Sequence, residues 1–210
     1  MNRPPEDDDQ IAAGLGQIAA FVRMAGWREA EPLGLTPTQR TCLSLLKNRG
    51  ACRVTALAKL LGITQPTVSD VIAALERKGF VERRPDPADA RATRVHLTAA
   101  GTEMARQAAR PPAALSRAIG TLSPAERAGM RRALSKMILS LQQQGAIEPQ
   151  RLCLGCRFFR PYVHSDALKP HHCAFVDAAF GDASLRFDCS DHEEADPGQK
   201  ASVLSAFASA

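Results

Sequence analysis

Apolar side chains at Ile11, Leu15, Ile18, Val22 and Ala25 recur at helical spacing and predict a first helix that ends near Glu29–Gly34. Thr36-Pro37-Thr38-Gln39 then reads as a helix start. Thr36 can cap, Pro37 fits the first turn and Gln39 can reach back to complete a capping box. Cys42, Leu45 and Leu46 form the inner side of this helix, which stops at Gly50. Residues 51–53 make an extended link or a very short strand. Residues 54–61 form a short helix with Leu57, Leu60 and Leu61 inward, closed by Gly62. Thr64 caps the next helix, which runs to Lys78 with Val68, Ile72 and Leu75 inward and Gly79 as terminator. Two short helices joined by a tight glycine turn are the pattern of a helix-turn-helix. Alternation in 80–84 and 93–97 predicts two strands around a polar, proline-bearing tip at 85–92, which is a hairpin wing.

Thr98 opens a further helix that Pro111-Pro112 must break. Leu122-Ser123-Pro124-Ala125-Glu126 is a second capping box. The helix after it carries Met130, Ala133, Leu134, Met137, Ile138 and Leu141, a stripe that ends by Gly145 and Pro149. Residues 1–10 and 195–210 show no convincing period and are expected to be flexible tails. The fold class is mainly α with a small β wing: a winged helix-turn-helix with a helical dimerisation region and a small Cys-rich C-terminal module.

Charge divides unevenly along the 210 residues. Residues 36–98 hold eleven Lys and Arg against five Asp and Glu, and residues 99–145 hold seven against two. Residues 146–210 hold six against nine, so the positive charge sits mid-chain and points to an anionic partner there. A hydrophobic fraction of 45% suffices for a packed core. The acidic start has no apolar signal region and no run approaches a bilayer span, so a cytoplasmic protein without a membrane partner is expected.

The outward face of residues 64–78 presents Gln65, Thr67, Ser69, Asp70 and Arg77, and the hairpin carries Arg83, Arg84, Arg91 and Arg94. The amino end of such a helix enters the major groove, where Gln pairs with adenine and Thr or Ser with several base edges. The ordered run of Leu35-Thr36-Pro37, Leu61-Gly62-Ile63, Leu75-Glu76-Arg77-Lys78-Gly79, Asp89-Ala90-Arg91 and Leu97-Thr98-Ala99-Ala100-Gly101 closely resembles the multiple-antibiotic-resistance regulator (MarR) family. The likeness covers 11–145 in layout, with the winged helix-turn-helix at 36–98, and 36–101 in motif.

The resemblance implies a homodimer built from helices at 11–30 and 98–145, each subunit docking one winged helix on a palindromic duplex. It implies that Arg91 enters the minor groove, that Asp89 holds the shape of the wing and that the other wing arginines meet phosphates. Asp70 departs from the basic residue that many relatives carry nearby. It either accepts from a cytosine amino group or pairs with a wing arginine, and the pairing is the expected role. In the family the signal is often a small aromatic acid.

Cys153, Cys156, Cys173 and Cys189 fall within 37 residues, in a module expected at 150–194. In a cytosolic chain that clustering points to metal rather than disulfides. Four thiolates, or three with His171 or His192, satisfy a closed zinc site, while the same four thiolates suit an iron–sulfur cluster. The spacing does not decide between zinc, a cluster and thiols that only oxidise. Five phenylalanines in the segment could pack around the metal, and Cys42 and Cys52 read as small packed hydrophobes.

A transcription regulator, sensing a small effector or the metal or redox state of the tail, is the function these features support. An enzyme is not expected, because four convergent thiolates leave no open coordination position and no nucleophile–base order or phosphate-binding loop is present. A non-specific DNA-binding or scaffold protein is the alternative.

Overall fold

The computed structural model describes residues 5–209 and divides into two units, one through Arg117 and one from Ala118 onward. In the first unit, α1 (Pro5–Ala30) is followed by a 3-10 turn that Gly34 closes in the left-handed conformation at φ 63°. Residues 5–10, expected as a flexible tail, belong to α1, whereas 1–4 lie outside the described residues. Acidic side chains in a first helical turn suit the helix dipole, which explains how a charged run continues the helix backwards.

The capping box starts α2 (Pro37–Arg49) as expected: Gln39 N–H donates to Thr36 Oγ1 at 3.2 Å and Thr36 N–H donates to Gln39 Oε1 at 3.2 Å. The same Gln39 oxygen accepts from Lys78 Nζ at 2.8 Å, and Lys78 also donates to the Gly34 carbonyl. One cap therefore ties three segments. Next come β1 (Cys52–Arg53), α3 (Val54–Leu61) and α4 (Gln65–Arg77). β2 (Val81–Asp86) and β3 (Asp89–Leu97) form the wing, α5 (Ala99–Ala108) follows, and α6 (Ala113–Gly120) starts after the proline pair.

The sheet order is β1-β3-β2, all antiparallel, with Val81 opposite Leu97 and Cys52 opposite Val95. The strands run further than alternation predicted, so only Pro87 and Ala88 separate them, and a register shift at Pro85/Asp86 absorbs the extra residues. Leu43, Leu57, Val68, Ile72, Leu75 and Val95 are fully buried. Val68, Ile72 and Leu75 match the expected inner face of α4, whereas in α2 Leu43 takes the central place expected for Leu45, which packs at the edge of the core.

The Leu-Thr-x-x-Gly start of α5 has a geometric cause. Thr98 Oγ1 accepts from Gly101 N–H at 2.9 Å and donates to the Gly79 carbonyl at 2.7 Å, while Thr98 N–H donates to the Phe80 carbonyl. This draws α5 so close to the start of β2 that a Cβ on residue 101 would lie 1.7 Å from the Phe80 oxygen. Only glycine fits. Arg40 of α2 fastens the other end of α5 through the Ala108 and Arg110 carbonyls, at 2.8 and 2.5 Å, and pairs with Glu29 at 3.1 Å.

The second unit contains α7 (Pro124–Gln143), a sheet ordered β4-β5-β6 and α8 (Pro197–Ser209). Its strands are short: β4 (Phe159–Arg160), β5 (His171–Cys173) and β6 (Ala178–Phe180). Two expectations are corrected here. Residues 197–209 are helical, because Val203 and Phe207 bury one face of α8 against Leu139, Leu152, Leu154 and Phe159. The cysteine-rich segment does not form a unit by itself at 150–194, since α7 shares that core through Ile138 and Leu139. Arg131 donates to the Ala183 carbonyl at 2.6 Å, and Arg132 and Lys136 each donate to the Phe207 carbonyl at 3.1 Å. Three of the mid-chain cations thus bond to carbonyls within this unit.

Candidate nucleic-acid interface

On α4, Thr64 caps the helix by accepting from Thr67 N–H at 3.4 Å, and its hydroxyl lies 2.8 Å from that of Thr67. Burial of Val68, Ile72 and Leu75 turns the opposite face outward, leaving Gln65, Thr67, Asp70 and Arg77 exposed and Ser69 half-buried. Ser69 Oγ donates to the Gln65 carbonyl at 3.0 Å, which keeps its lone pairs available. A cleft of about 300 Å³ runs between this helix and the wing, with Gln65 and Ser69 on one side and Arg53, Arg83 and Thr93 on the other. Of the residues that the sequence singled out, Gln65, Ser69 and Arg83 line this cleft.

The wing is shaped by a residue that pattern reading missed. Asp86 is buried at the hairpin turn, where Oδ1 accepts from Ala88 N–H at 2.9 Å and Oδ2 accepts from Arg53 Nε at 2.5 Å and Arg94 Nε at 3.0 Å. The Ala88 amide and the two guanidinium groups hold its carboxyl far below the usual carboxylate range. Asp89, expected to hold the wing, has a lesser part: it accepts from Arg91 N–H at 3.1 Å and lies 3.7 Å from Arg53 while remaining exposed. The signal for Asp86 was an acidic residue between two prolines on a basic hairpin, with an arginine in the strand that pairs alongside.

The arginines divide by partner. Arg83 pairs with Glu76 at 3.2 Å, Arg84 pairs with Glu82, and Arg94 braces Asp86 while staying partly exposed. Arg91 and Arg77 are exposed. The expected ion pair between Asp70 and a wing arginine is not formed among the described residues; Glu76, two turns further along α4, takes Arg83 instead. Cys42 is fully buried, which pushes its thiol up to about 12, and Cys52 Sγ donates to the Gly50 carbonyl.

The C-terminal unit brings Cys153, Cys156, Cys173 and Cys189 around one mainly apolar cavity of about 150 Å³. Cys153 and Cys156 bracket a 3-10 turn, Cys173 ends β5, and Cys189 follows the second half of the segment. Backbone bonds fix the frame: Cys153 N–H donates to Arg186 O at 3.1 Å, and Cys189 N–H donates to Arg151 O at 3.0 Å. Burial pushes the Cys153 thiol up to about 11. Among the described residues no group of three or more His, Cys, Asp or Glu is arranged to hold a metal ion.

The two histidines named as optional ligands are placed elsewhere. His171 is fully buried, with Nε2 donating to Asp182 Oδ1 at 2.8 Å and Nδ1 accepting from Tyr162 N–H at 3.4 Å. Both of its ring nitrogens are committed, and its ring stacks on Phe207 at 5.4 Å. His192 lines a different cavity, with Arg151, Gly155 and Lys200, and burial lowers its pKa.

No helix among the described residues is long and apolar enough to cross a membrane. The MarR family model matches residues 35–93. The uncharacterized HTH-type transcriptional regulator Mb0904 of Mycobacterium bovis is 34% identical, over 63% of this chain and 94% of that protein. The HTH-type transcriptional repressor Mb2911 of the same organism is 28% identical, over 62% and 95%. Among solved structures, MepR of S. aureus in its DNA-binding conformation is similar with a TM-score of 0.54 and 25% identity, over 62% of this chain and 98% of MepR. MarR-family members are transcription regulators, not enzymes, and with a relative above 30% identity matched over nearly its whole length this chain belongs to the MarR family of transcription regulators.

Proposed function

We propose that the protein is a homodimeric repressor that reads a palindromic DNA operator, with α4 in the major groove and the wing in the adjacent minor groove. The observation that carries this reading is the cleft in which Gln65 and Ser69 of α4 face Arg53, Arg83 and Thr93 of the β-sheet side. A helix amino end supplies base-edge contacts, and an exposed arginine near a hairpin tip suits the negative potential of a narrow minor groove. Gln65, Thr67, Ser69 and Asp70 are assigned to base edges, Arg91 to the minor groove, and Arg77, Arg83, Arg84 and Arg94 to phosphates. The likeness to MepR in a DNA-binding conformation and to the repressor Mb2911 supports both the partner and the sign of regulation.

A dimer is supported by apolar side chains left in water. Trp27 is 65% exposed and Ile18 46% on α1, and Met130 and Met137 are each 40% exposed on α7, on the side away from the buried Leu139. Twofold symmetry would set two copies of α4 about one DNA turn apart, ~34 Å. A small aromatic acid is the effector class proposed. A cleft of about 420 Å³ is lined by Leu33, Pro111 and Arg110 together with Arg40 and Arg106, and a ligand carboxylate there would share these two arginines with Glu29 and Glu103. A cytoplasmic location fits a regulator of this kind.

The test is fluorescence anisotropy with a duplex selected from a random library, competed against scrambled duplex at fixed salt. Preference for the selected duplex supports the reading; equal competition overturns it in favour of non-specific binding. Arg91→Ala is expected to weaken binding about fivefold, roughly 1 kcal/mol, and to flatten the salt dependence. An unchanged affinity removes Arg91 from the interface.

A further inference from the structure

The cysteine-lined cavity lies outside the span of the family match at 35–93, and reading DNA makes no use of it. We propose that it is the seat of an iron–sulfur cluster, with Cys153, Cys156, Cys173 and Cys189 as its four thiolate ligands.

The shared cleft is the first argument. A water needs only about 10–15 Å³ measured by where its centre can go. A space of about 150 Å³ ringed by four sulfurs is therefore room for a group of many atoms. Chain segments from a 3-10 turn, a strand end and a loop all direct a cysteine to the same place, which apolar packing alone gives no reason for.

The second argument separates a cluster from a single ion. Zinc binds sulfur at about 2.3 Å, so four thiolates on one zinc sit edge to edge and close the space between them. Here the four cysteines line a volume of about 150 Å³, larger than one ion fills. A cluster puts several irons and bridging sulfides between the thiolates, so its ligands stand further apart.

The surroundings suit such a group. Phe158, Phe175, Val176 and Phe180 give the cavity a largely apolar wall. Arg186 donates its backbone N–H to Cys153 Sγ at 3.3 Å and its guanidinium N–H to Cys189 Sγ at 3.7 Å. Hydrogen bonds to the sulfurs and a nearby positive charge stabilise a thiolate-ligated, anionic cluster and set its potential. Strands of two or three residues hold this segment poorly by themselves, and a four-point staple is what such a scaffold lacks.

The full chain should be produced with iron and sulfur in supply, purified without oxygen, and analysed for iron, acid-labile sulfide and zinc. The expected result is iron and sulfide in equal amounts, with a broad absorption band at about 400 nm that dithionite bleaches. Stoichiometric zinc without iron, or no metal after reconstitution of the wild-type chain with ferrous iron and sulfide, overturns the proposal. Cys173→Ser and Cys189→Ser should each lose most of the iron, and Cys42→Ser none. Iron retained in full by both of the first two variants overturns the ligand set. The wild-type analysis stands whether or not a variant folds, and none of these readouts depends on DNA binding.

Discussion

In the N-terminal unit, α2, α3, α4 and β3 contribute buried apolar side chains at regular helical or alternating spacing, and Leu43, Leu57, Ile72, Leu75 and Val95 meet in one core. In the C-terminal unit, the core of Leu139, Leu152, Leu154, Phe159, Leu185 and Phe207 comes mostly from single positions in turns and two-residue strands. Hydrogen bonds from Arg131, Arg132 and Lys136 to carbonyls, and an Asp182–His171 pair inside an aromatic cluster, supply there what repeated apolar spacing supplies in the first unit. Regular periodicity makes a fold that tolerates the loss of one contact. A core assembled from isolated positions concentrates its stability in a few side chains.

That contrast is tested most severely at Phe207. Its ring packs on His171, Phe159 and Tyr162 at centroid distances of 5.4, 5.8 and 5.3 Å, and its carbonyl accepts from both Arg132 and Lys136. Phe207→Ala should cost about 3–5 kcal/mol, by lost burial and the cavity left behind. Hydrogen exchange should show α7 and α8 losing protection while α2 and α4 keep theirs, because the two cores share no residue. Protection of α8 retained in the variant would mean that Phe207 does not fasten it, and no protection of α8 in the wild-type chain would return residues 197–209 to the status of a loose tail.

In the first unit, the most sensitive position is a glycine rather than a large apolar side chain. Gly101→Ala forces a methyl group against the Phe80 carbonyl and should cost about 1–3 kcal/mol as α5 moves off β2. A thermal melt is the measurement, with a lower midpoint expected. A midpoint equal to wild type would mean that α5 shifts freely, and the Thr98 cap would then not fix its position.

These two positions show what the sequence made legible. Gly101 was visible as part of a motif, but its cause, a backbone approach across twenty residues of chain, needed the third dimension. The helices at 37–49, 54–61 and 65–77 were legible because caps, glycine stops and apolar spacing agreed at each end. α8 was not legible, because among its described side chains only Val203 and Phe207 are buried, too few to produce a period. The sharing of α7 with the cysteine segment was equally hidden. One stripe of a helix cannot say what covers it, and of the residues that join the two, Ile138 belongs to the stripe that the sequence displayed while Leu139 lies beside it. At the candidate interface, Gln65, Thr67, Asp70 and Arg77 were legible by their outward spacing and Arg91 by its place on the hairpin, whereas Asp86 and Arg53 act through a buried ion network that linear pattern does not encode.

Asp86 gives the finest discrimination between the two modes of construction, because it is a single-position device inside the regular unit. Its folded pKa is depressed by the Ala88 amide and by Arg53 and Arg94, so its contribution is present above the ordinary carboxylate pKa of about 3.9. That contribution is lost only as pH falls through the much lower folded value. Asp86→Asn removes the charge at every pH and frees Arg53 and Arg94 to swing toward solvent, while keeping a group that can accept from Ala88. We expect DNA affinity to fall by roughly threefold, under 1 kcal/mol, because the wing loses its fixed shape while the arginines proposed to meet phosphates keep their charge. The ratio of wild-type to variant affinity, measured by anisotropy at fixed ionic strength, should be the same at pH 5.5 and at pH 7.5, about two units apart. If the ratio shrinks toward one as the pH is lowered across that window, the carboxyl is gaining a proton there, the two guanidinium groups do not hold it ionised, and the wing is built by strand pairing alone.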